Sequence, residues 1–376
     1  MLNMVFKIIK RNNKARYCIL KTKSGNIETP TFLPVASQGT VKTMPPDILK
    51  KIGIKGIITN AYHLHLRPGE KIIKKIGGIH KFMNFKGVIF TDSGGFQVYS
   101  LSDLKKIKEE GIEFKSHIDG RKIFFTPEKV IEIQIDLGTD VMMTLDECPP
   151  YPVTYEYAKE SLDLTIKWAF KSKEFFDREF KDKKIRPLIF GIGQGSTYLD
   201  LRIKGIEKLK EYDFDGYCIG GLAVGEPKEE REKIISDIIS YYPEEKPRYL
   251  MGVGYPEDIF FAVKNGIDIF DSVLPTRNAR TGLIFTSYGK IRIRNAKYAE
   301  DPLPLDPDCN CYVCKNFSRA YIRHLFSAEE YLALYLSTYH SLSFYSKLMK
   351  NIREAIKEGT LEEYERKFFE KYKVEE

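Results

Sequence analysis

Residues 187–221 read PLIFGIGQGSTYLDLRIKGIEKLKEYDFDGYCIGG. The runs at 187–193 and 216–221 are almost wholly apolar, and between them residues 200–209 carry apolar side chains at helical spacing. Apolar runs without alternation read as strands covered on both faces, the condition of a parallel sheet. A strand, a helix and a second such strand make one α/β unit. Working outward, strands of the same kind read at residues 31–36, 56–60, 87–92, 140–146, 248–253 and 268–273. Helical patterns lie at 127–137, 155–180, 228–241 and 256–265, the first preceded by Thr126 as N-cap with Pro127 at the first helical position. Eight strands alternating with helices point to a (β/α)8 TIM barrel. An open doubly wound sheet is the competing arrangement.

Two stretches break the alternation. Residues 112–126, IEFKSHIDGRKIFFT, alternate around Asp119-Gly120 and read as a hairpin inserted after the third strand. The second break runs from about 275 to 340 and holds three clustered cysteines. Residues 342–356 and 361–372 then read as terminal helices. The expected division is a barrel body over 1–275 with N-terminal strands, a cysteine-bearing subdomain over 276–340, and C-terminal helices over 341–376 completing the barrel.

The chain has 376 residues, 43% of them hydrophobic and 30% charged, which supports a large core and argues against global disorder. Its net charge of +8 is compatible with a polyanionic partner. The start, MLNMVFKIIKRNNK, lacks the apolar centre of a signal peptide, and no run of about 18 apolar residues occurs. A soluble protein of the reducing cytoplasm, with no membrane partner, is expected.

The carboxyl ends of the eight strands carry the chemistry. They place Asn60, Asp92, Asp146, Gln194, Gly221 with Leu222, Met251 and Asp271 at one barrel mouth. Carboxylates are costly at such positions in a pure packing role. Asp92 stands in TDSGGFQ (91–97), where it either serves chemistry or caps a following helix. Asp271 is a nucleophile, a base, or a structural partner of Arg277. Two facing carboxylates are the equipment for glycosyl transfer: one attacks the anomeric carbon and the other moves protons. Metal-assisted hydrolysis would need histidines at the mouth, and only His63 and His65 offer themselves, each of which also suits a hydrogen-bonding role. Gly220 to Glu226, GGLAVGE, lacks dinucleotide-fingerprint spacing; its backbone could read the edge of a planar base or simply form a tight turn.

Cys309, Cys311 and Cys314 supply three thiolates within six residues, and His324 or His340 could be the fourth ligand. Such a Cys₃His set suits one structural zinc ion, which makes 276–340 a zinc-binding subdomain. An iron–sulfur cluster would usually want a fourth cysteine.

TDSGGFQ (91–97), LDECP (145–149), GQG (193–195), GGLAVGE (220–226), YLMGVG (249–254), FDSVLPTRNAR (270–280) and the CxCxxC cluster occur in an order that resembles the tRNA-guanine transglycosylases, over nearly the whole chain. The resemblance implies a TIM barrel with an inserted zinc subdomain, and a pentosyltransferase activity. The wobble guanine of tRNAs with G-U-N anticodons would be exchanged for 7-aminomethyl-7-deazaguanine in queuosine biosynthesis. It implies Asp271 as the nucleophile that forms a covalent aspartyl–ribose tRNA intermediate, and Asp92 as general acid and base. It implies Asp146, Gln194, Gly221, Leu222 and Ser93 at the base, Phe96 and Met251 against its faces, and Arg277 and Arg280 at the anticodon-loop backbone. Cys309, Cys311, Cys314 and His340 match the zinc ligands.

Ser196 departs from the glycine many relatives carry there. Val224 resembles the bacterial branch, and the chain ends without the C-terminal RNA-binding domains of the archaeal branch, so the bacterial type is expected. Phe317, Tyr321 and His324, at spacing i, i+4, i+7, fall where bacterial members place a homodimer contact, although one helix face also suits intramolecular packing. The competing functions are a sibling enzyme acting elsewhere in tRNA, a noncatalytic partner subunit, and a zinc-dependent barrel hydrolase.

Overall fold

The computed structural model describes residues 5–101 and 105–374. Eight strands lie in parallel: β1 (Thr31–Pro34), β2 (Gly56–Asn60), β3 (Val88–Asp92), β4 (Val141–Met143), β5 (Leu188–Gly193), β6 (Gly216–Ile219), β7 (Arg248–Leu250) and β8 (Ile269–Ser272). Each pairs with its neighbour in sequence, and β8 pairs with β1. A bridge between Val35 and Ile58, with the Ala36 N–H donating to the Ile58 carbonyl at 2.7 Å, joins β1 to β2 and closes the ring. The closed ring is the TIM-like barrel expected, and the doubly wound alternative falls away.

The barrel is filled because its inward positions are bulky and apolar. Leu33, Ile58, Phe90, Met143, Phe190, Ile192, Tyr249 and Ile269 form one buried cluster, joined by Phe6, Leu20 and Ile27 from an antiparallel sheet of Phe6–Asn12, Ala15–Thr22 and Gly25–Thr29. Gly56, the first residue of β2, lies against Ile27, so this sheet closes the amino-terminal end. Arg16 fixes it there through a buried bidentate pair with Asp268, 2.9 Å and 2.6 Å, at the foot of β8. The carboxyl-terminal mouth, where barrels carry their chemistry, is left uncovered by this sheet.

The insertion after β3 is larger than the hairpin read at 112–126. Lys105–Lys108 adds a third antiparallel strand beside Gly111–Lys115 and Lys122–Phe125. KKIK is too short and too charged to announce itself as a strand. The helix read as 342–356 is one continuous helix, Tyr331–Glu358, and it carries His340 within it. Its first half packs with Leu283–Thr286, Gly289–Arg292, Tyr312–Asn316 and Arg319–Ser327 around a separate small core of Ile284, Ile293, Val313, Ile322, Phe326 and Leu336.

Candidate active site

The strand ends meet as the reading of the sequence expected. Asn60, Asp92, Asp146, Gln194, Gly221, Leu222, Met251 and Asp271 all line one cavity of about 370 Å³ at the carboxyl-terminal mouth. Phe96, Val224 and Arg277 line it as well. Its size and its few convergent polar groups suit a small planar ligand.

Asp271 stands near the end of β8, half-buried. The Tyr249 hydroxyl donates to its Oδ1 at 2.7 Å and the Gly252 N–H to the same atom at 3.0 Å. No described residue bonds Oδ2, so one oxygen is anchored and the other is free at the cavity. Among the described residues no ion pair joins Asp271 to Arg277, which disposes of the structural pairing the sequence left open. Burial pushes the Asp271 carboxyl above its ordinary value, against the two anchoring donors.

Asp92 ends β3. It takes the Asn60 amide N–H at 2.9 Å and the backbone N–H groups of Ser93 and Gly94. The carboxylate therefore satisfies the turn into the helix Gly95–Leu101 while facing the cavity, so capping and chemistry are both open to it. Asn60 is locked in its turn: its Oδ1 caps the next helix by accepting the His63 N–H at 3.2 Å, and its Nδ2 also donates to Gln97 at 2.8 Å. Burial first, then the charges of Asp146 and Asp271, raise Asp92 to about 8. Asp146 is raised to about 6, mainly by burial, with the Gln194 and Ser93 hydrogen bonds opposing. One mouth thus holds an acid form and an ionisable carboxylate together, the condition for an acid–nucleophile division of labour.

Asp146 follows β4 and is held from two sides. Gln194 Nε2 donates to Oδ2 at 2.6 Å and Ser93 Oγ to Oδ1 at 3.2 Å. Ser93 is buried behind Asp146 rather than lining the cavity. Gly95 is required here because a Cβ would collide with the Asp146 carbonyl. Gln194 Oε1 is buried without a protein partner, an acceptor left for a ligand donor. Phe96, 43% exposed, and Met251 both line the cavity. Arg277 stands exposed at the rim, while Arg280 lies back, its Nε on the Thr276 carbonyl at 2.9 Å.

Two residues the strand readings passed over complete the site. Tyr249 lay inside an apolar run, and its hydroxyl has no sequence signal of its own. Arg202 had one: with Gly205, Ile206 and Leu209 it shares the buried face of the helix Leu199–Lys210.

The expected metal ligands come together. Sγ of Cys309, Cys311 and Cys314 and a ring nitrogen of His340 lie within 4.8 Å of one another, a set that could hold a metal ion. His340 Nδ1 faces the thiols, 3.2 Å from Cys314 and 3.6 Å from Cys311, while Nε2 meets the Phe285 carbonyl at 2.9 Å. That outer bond fixes Nε2 as the protonated nitrogen and leaves the Nδ1 lone pair for a metal. His324 is exposed and outside the set. Neither His63 nor His65 reaches the cavity: His65 bonds Glu70 at 2.7 Å, and His63 packs beside Tyr62 and His117. Phe317 precedes the helix Arg319–Ser327, because Ser318 is its N-cap, so it is not on one helix face with Tyr321 and His324. Its ring nevertheless stacks on Tyr321 at 5.6 Å.

A family model described as Queuine tRNA-ribosyltransferase matches residues 11–374. The chain is 57% identical over 369 residues to a protein of Caldanaerobacter subterraneus subsp. tengcongensis named Queuine tRNA-ribosyltransferase, covering 98% of this chain and 97% of that one. It is 56% identical to a protein of the same name from Thermoanaerobacter sp., covering 99% and 98%. A protein so named from Thermodesulfovibrio yellowstonii is 51% identical, covering 97% and 94%.

Proposed function

Since the chain belongs to the queuine tRNA-ribosyltransferase family, we propose that it exchanges the wobble guanine of tRNAs with G-U-N anticodons for 7-aminomethyl-7-deazaguanine, in queuosine biosynthesis. The observation that carries this reading is the pairing at one mouth of Asp271, with a free Oδ2, and Asp92, held in its acid form near neutrality.

The exchange runs as a double displacement. Asp271 Oδ2 attacks C1′ of the guanosine, the C1′–N9 bond breaks, and its electron pair leaves with the base. Asp92 gives its proton to that base. The ribose is then an ester of Asp271, and guanine departs. The incoming deazaguanine loses its ring N–H proton to the Asp92 carboxylate, its nitrogen attacks C1′, and the ester C–O bond breaks. Both acids return to their starting states, and two inversions give net retention.

The remaining roles follow from position. Asp146, Gln194 and Gly221 meet the edge of the base with Ser93 in support, Leu222 offers its carbonyl to the 7-substituent, and Phe96 and Met251 cover the ring faces. Val224 beside that edge suits the small aminomethyl group. Arg277 and Arg280 take phosphates of a loop whose bases unstack at lower cost than duplex bases. The Cys309, Cys311, Cys314 and His340 set holds one structural zinc ion. The aromatic surface at Phe317 and Tyr321 with His324 joins two copies in the cytoplasm, one positioning the tRNA while the other does the chemistry. No helix of the described residues is long and apolar enough to cross a membrane.

The test is incorporation of tritiated guanine into an unmodified G-U-N tRNA. Label in wild type, none in a tRNA lacking the wobble guanine, and no covalent tRNA adduct with folded Asp271→Asn is the expected result. Normal exchange by Asp271→Asn would sink the assignment.

A further inference from the structure

Arg202 stands behind the wall of the cavity, not on it. Its side chain is buried, the residue being 2% exposed, yet no described carboxylate forms an ion pair with it. Every hydrogen bond it gives goes to a backbone carbonyl. Nε donates to Ser196 at 2.6 Å, Nη1 to Gly220 at 2.6 Å and to Gly193 at 3.2 Å, and Nη2 to Gly221 at 3.1 Å. A buried cation is expensive unless its donors are satisfied, and here carbonyls from two loops satisfy it. Those are the loops after β5 and β6, the ones that carry Gln194 and Gly221.

The geometry of the peptide unit turns this clamp toward the ligand. In a trans peptide the carbonyl and the N–H point in opposite directions. Holding the Gly220 carbonyl from behind therefore aims the Gly221 N–H the other way, into the cavity that Gly221 lines. That N–H has no partner among the described residues. Gly221 also has φ of +63°, and a Cβ there would collide with Gln194 Oε1, so the turn is imposed by its surroundings. Beyond it, Glu226 takes the N–H groups of Ala223 and Val224 at 2.5 Å and 3.0 Å. The Gly221 N–H is thus left free between two restrained stretches.

We propose that Arg202 is a positioning residue for base selection: by gripping the Gly220 and Gly221 carbonyls it aims the Gly221 N–H at the carbonyl oxygen that guanine and its 7-deaza analogues carry at C6. The proposal rests on the base-exchange reading and adds to it the residue that sets one of the reading contacts.

The test compares guanine with 2-aminopurine, which keeps the ring and the 2-amino group but lacks the C6 oxygen and, with it, the N1 proton. KM for guanine, Ki for 2-aminopurine and KM for tRNA are measured in the incorporation assay for wild type and Arg202→Lys. A single ammonium has three donors on one atom and cannot span the four carbonyls that the guanidinium holds. Wild type should prefer guanine by about tenfold or more, the value of one well-placed hydrogen bond. In Arg202→Lys that preference should fall about tenfold, with KM for guanine raised about tenfold and the other two constants within about twofold. If guanine and 2-aminopurine weaken equally, Arg202 is only structural and the proposal falls. Should Arg202→Lys not fold, Arg202→Gln is read the same way, and a wild type that binds both bases equally overturns the proposal without any variant. A wild type that incorporates no guanine at all overturns the exchange reading itself, a result distinct from lost selectivity.

Discussion

Asp92→Asn should remove activity and make the protein more stable, increasingly so as pH rises. The fold raises the Asp92 carboxyl from 3.8 to about 8. A raised acid disfavours the folded state wherever the unfolded chain would ionise. The penalty is absent below about pH 4 and grows until the folded group ionises near pH 8. At about 1.4 kcal/mol per pH unit, it increases by about 4 kcal/mol between pH 5 and pH 8. Water reaching the cavity makes that figure a ceiling. Against it stands a cost that does not depend on pH. Asp92 Oδ2 accepts the Asn60 amide, and Asn60 cannot turn over because its Oδ1 holds the His63 N–H. An asparagine at 92 must turn its NH2 toward either the Asn60 amide or the Ser93 and Gly94 N–H groups, setting donor against donor at a cost of about 1–3 kcal/mol. The two effects nearly balance at pH 5, and the variant gains about 2–4 kcal/mol at pH 8. Urea unfolding of both proteins across that range, metal-loaded, reads the difference, and effects common to both cancel. A difference that stays flat from pH 5 to pH 8 would refute the burial and like-charge account of Asp92.

Covalent capture of tRNA in a single turnover should fall about tenfold per pH unit above pH 8, as Asp92 loses the proton that its proposed role gives to the leaving base; a profile level to pH 9.5 would remove Asp92 from that role. Phe96→Ala and Met251→Ala should each raise KM for the free base about tenfold with little change in KM for tRNA, because a lost stacking or thioether face is worth about 1–3 kcal/mol. Equal losses for both substrates would place these residues in general packing instead. His340→Ala should release the metal, measured by elemental analysis. It should also cost hydrogen-exchange protection in Leu283–Thr286 and Arg319–Ser327 while the amides of β3 to β6 stay protected. Retained metal in that variant would contradict the ligand set.

The barrel was legible because a parallel sheet writes itself in apolar runs that end abruptly, and the polar residues read at those ends line the mouth cavity. Asp92, Asp146, Gln194 and Asp271 could be read for that reason. The third strand of the insertion could not, since Lys105–Lys108 has neither length nor apolar alternation and gains its pairing only from Gly111–Lys115. The long helix was read short because the break that holds the cysteines was carried through to residue 340; His340 instead projects from within the helix, where its buried ring reaches the cysteines without breaking the backbone pattern. Arg202 and Tyr249 show a different limit. Each is placed by what it holds, four backbone carbonyls for Arg202 and one carboxylate oxygen for Tyr249. Such roles depend on loops from distant parts of the chain meeting around them, which periodicity does not report.

The Cys309, Cys311, Cys314 and His340 cluster and Asp271, the proposed nucleophile, share one mechanical support. The helix Leu274–Thr281 follows β8 directly, so Asp271, Arg277 and Arg280 lie on a single short stretch of backbone. That helix packs on Tyr331–Glu358, which carries His340. Five residues beyond His340, the Tyr345 hydroxyl donates to the Gly254 carbonyl at 2.5 Å, two residues past the N–H that anchors Asp271 Oδ1. His340 itself is tied through Nε2 to Phe285, just after Leu274–Thr281 in the chain. One long helix therefore braces the β7 loop, the segment after β8 and the cysteine loop at once. A metal that fixes His340 fixes the register of that brace. A bound metal would then serve the proposed exchange geometrically, holding the proposed phosphate-binding arginines in a constant relation to Asp271, the proposed nucleophile.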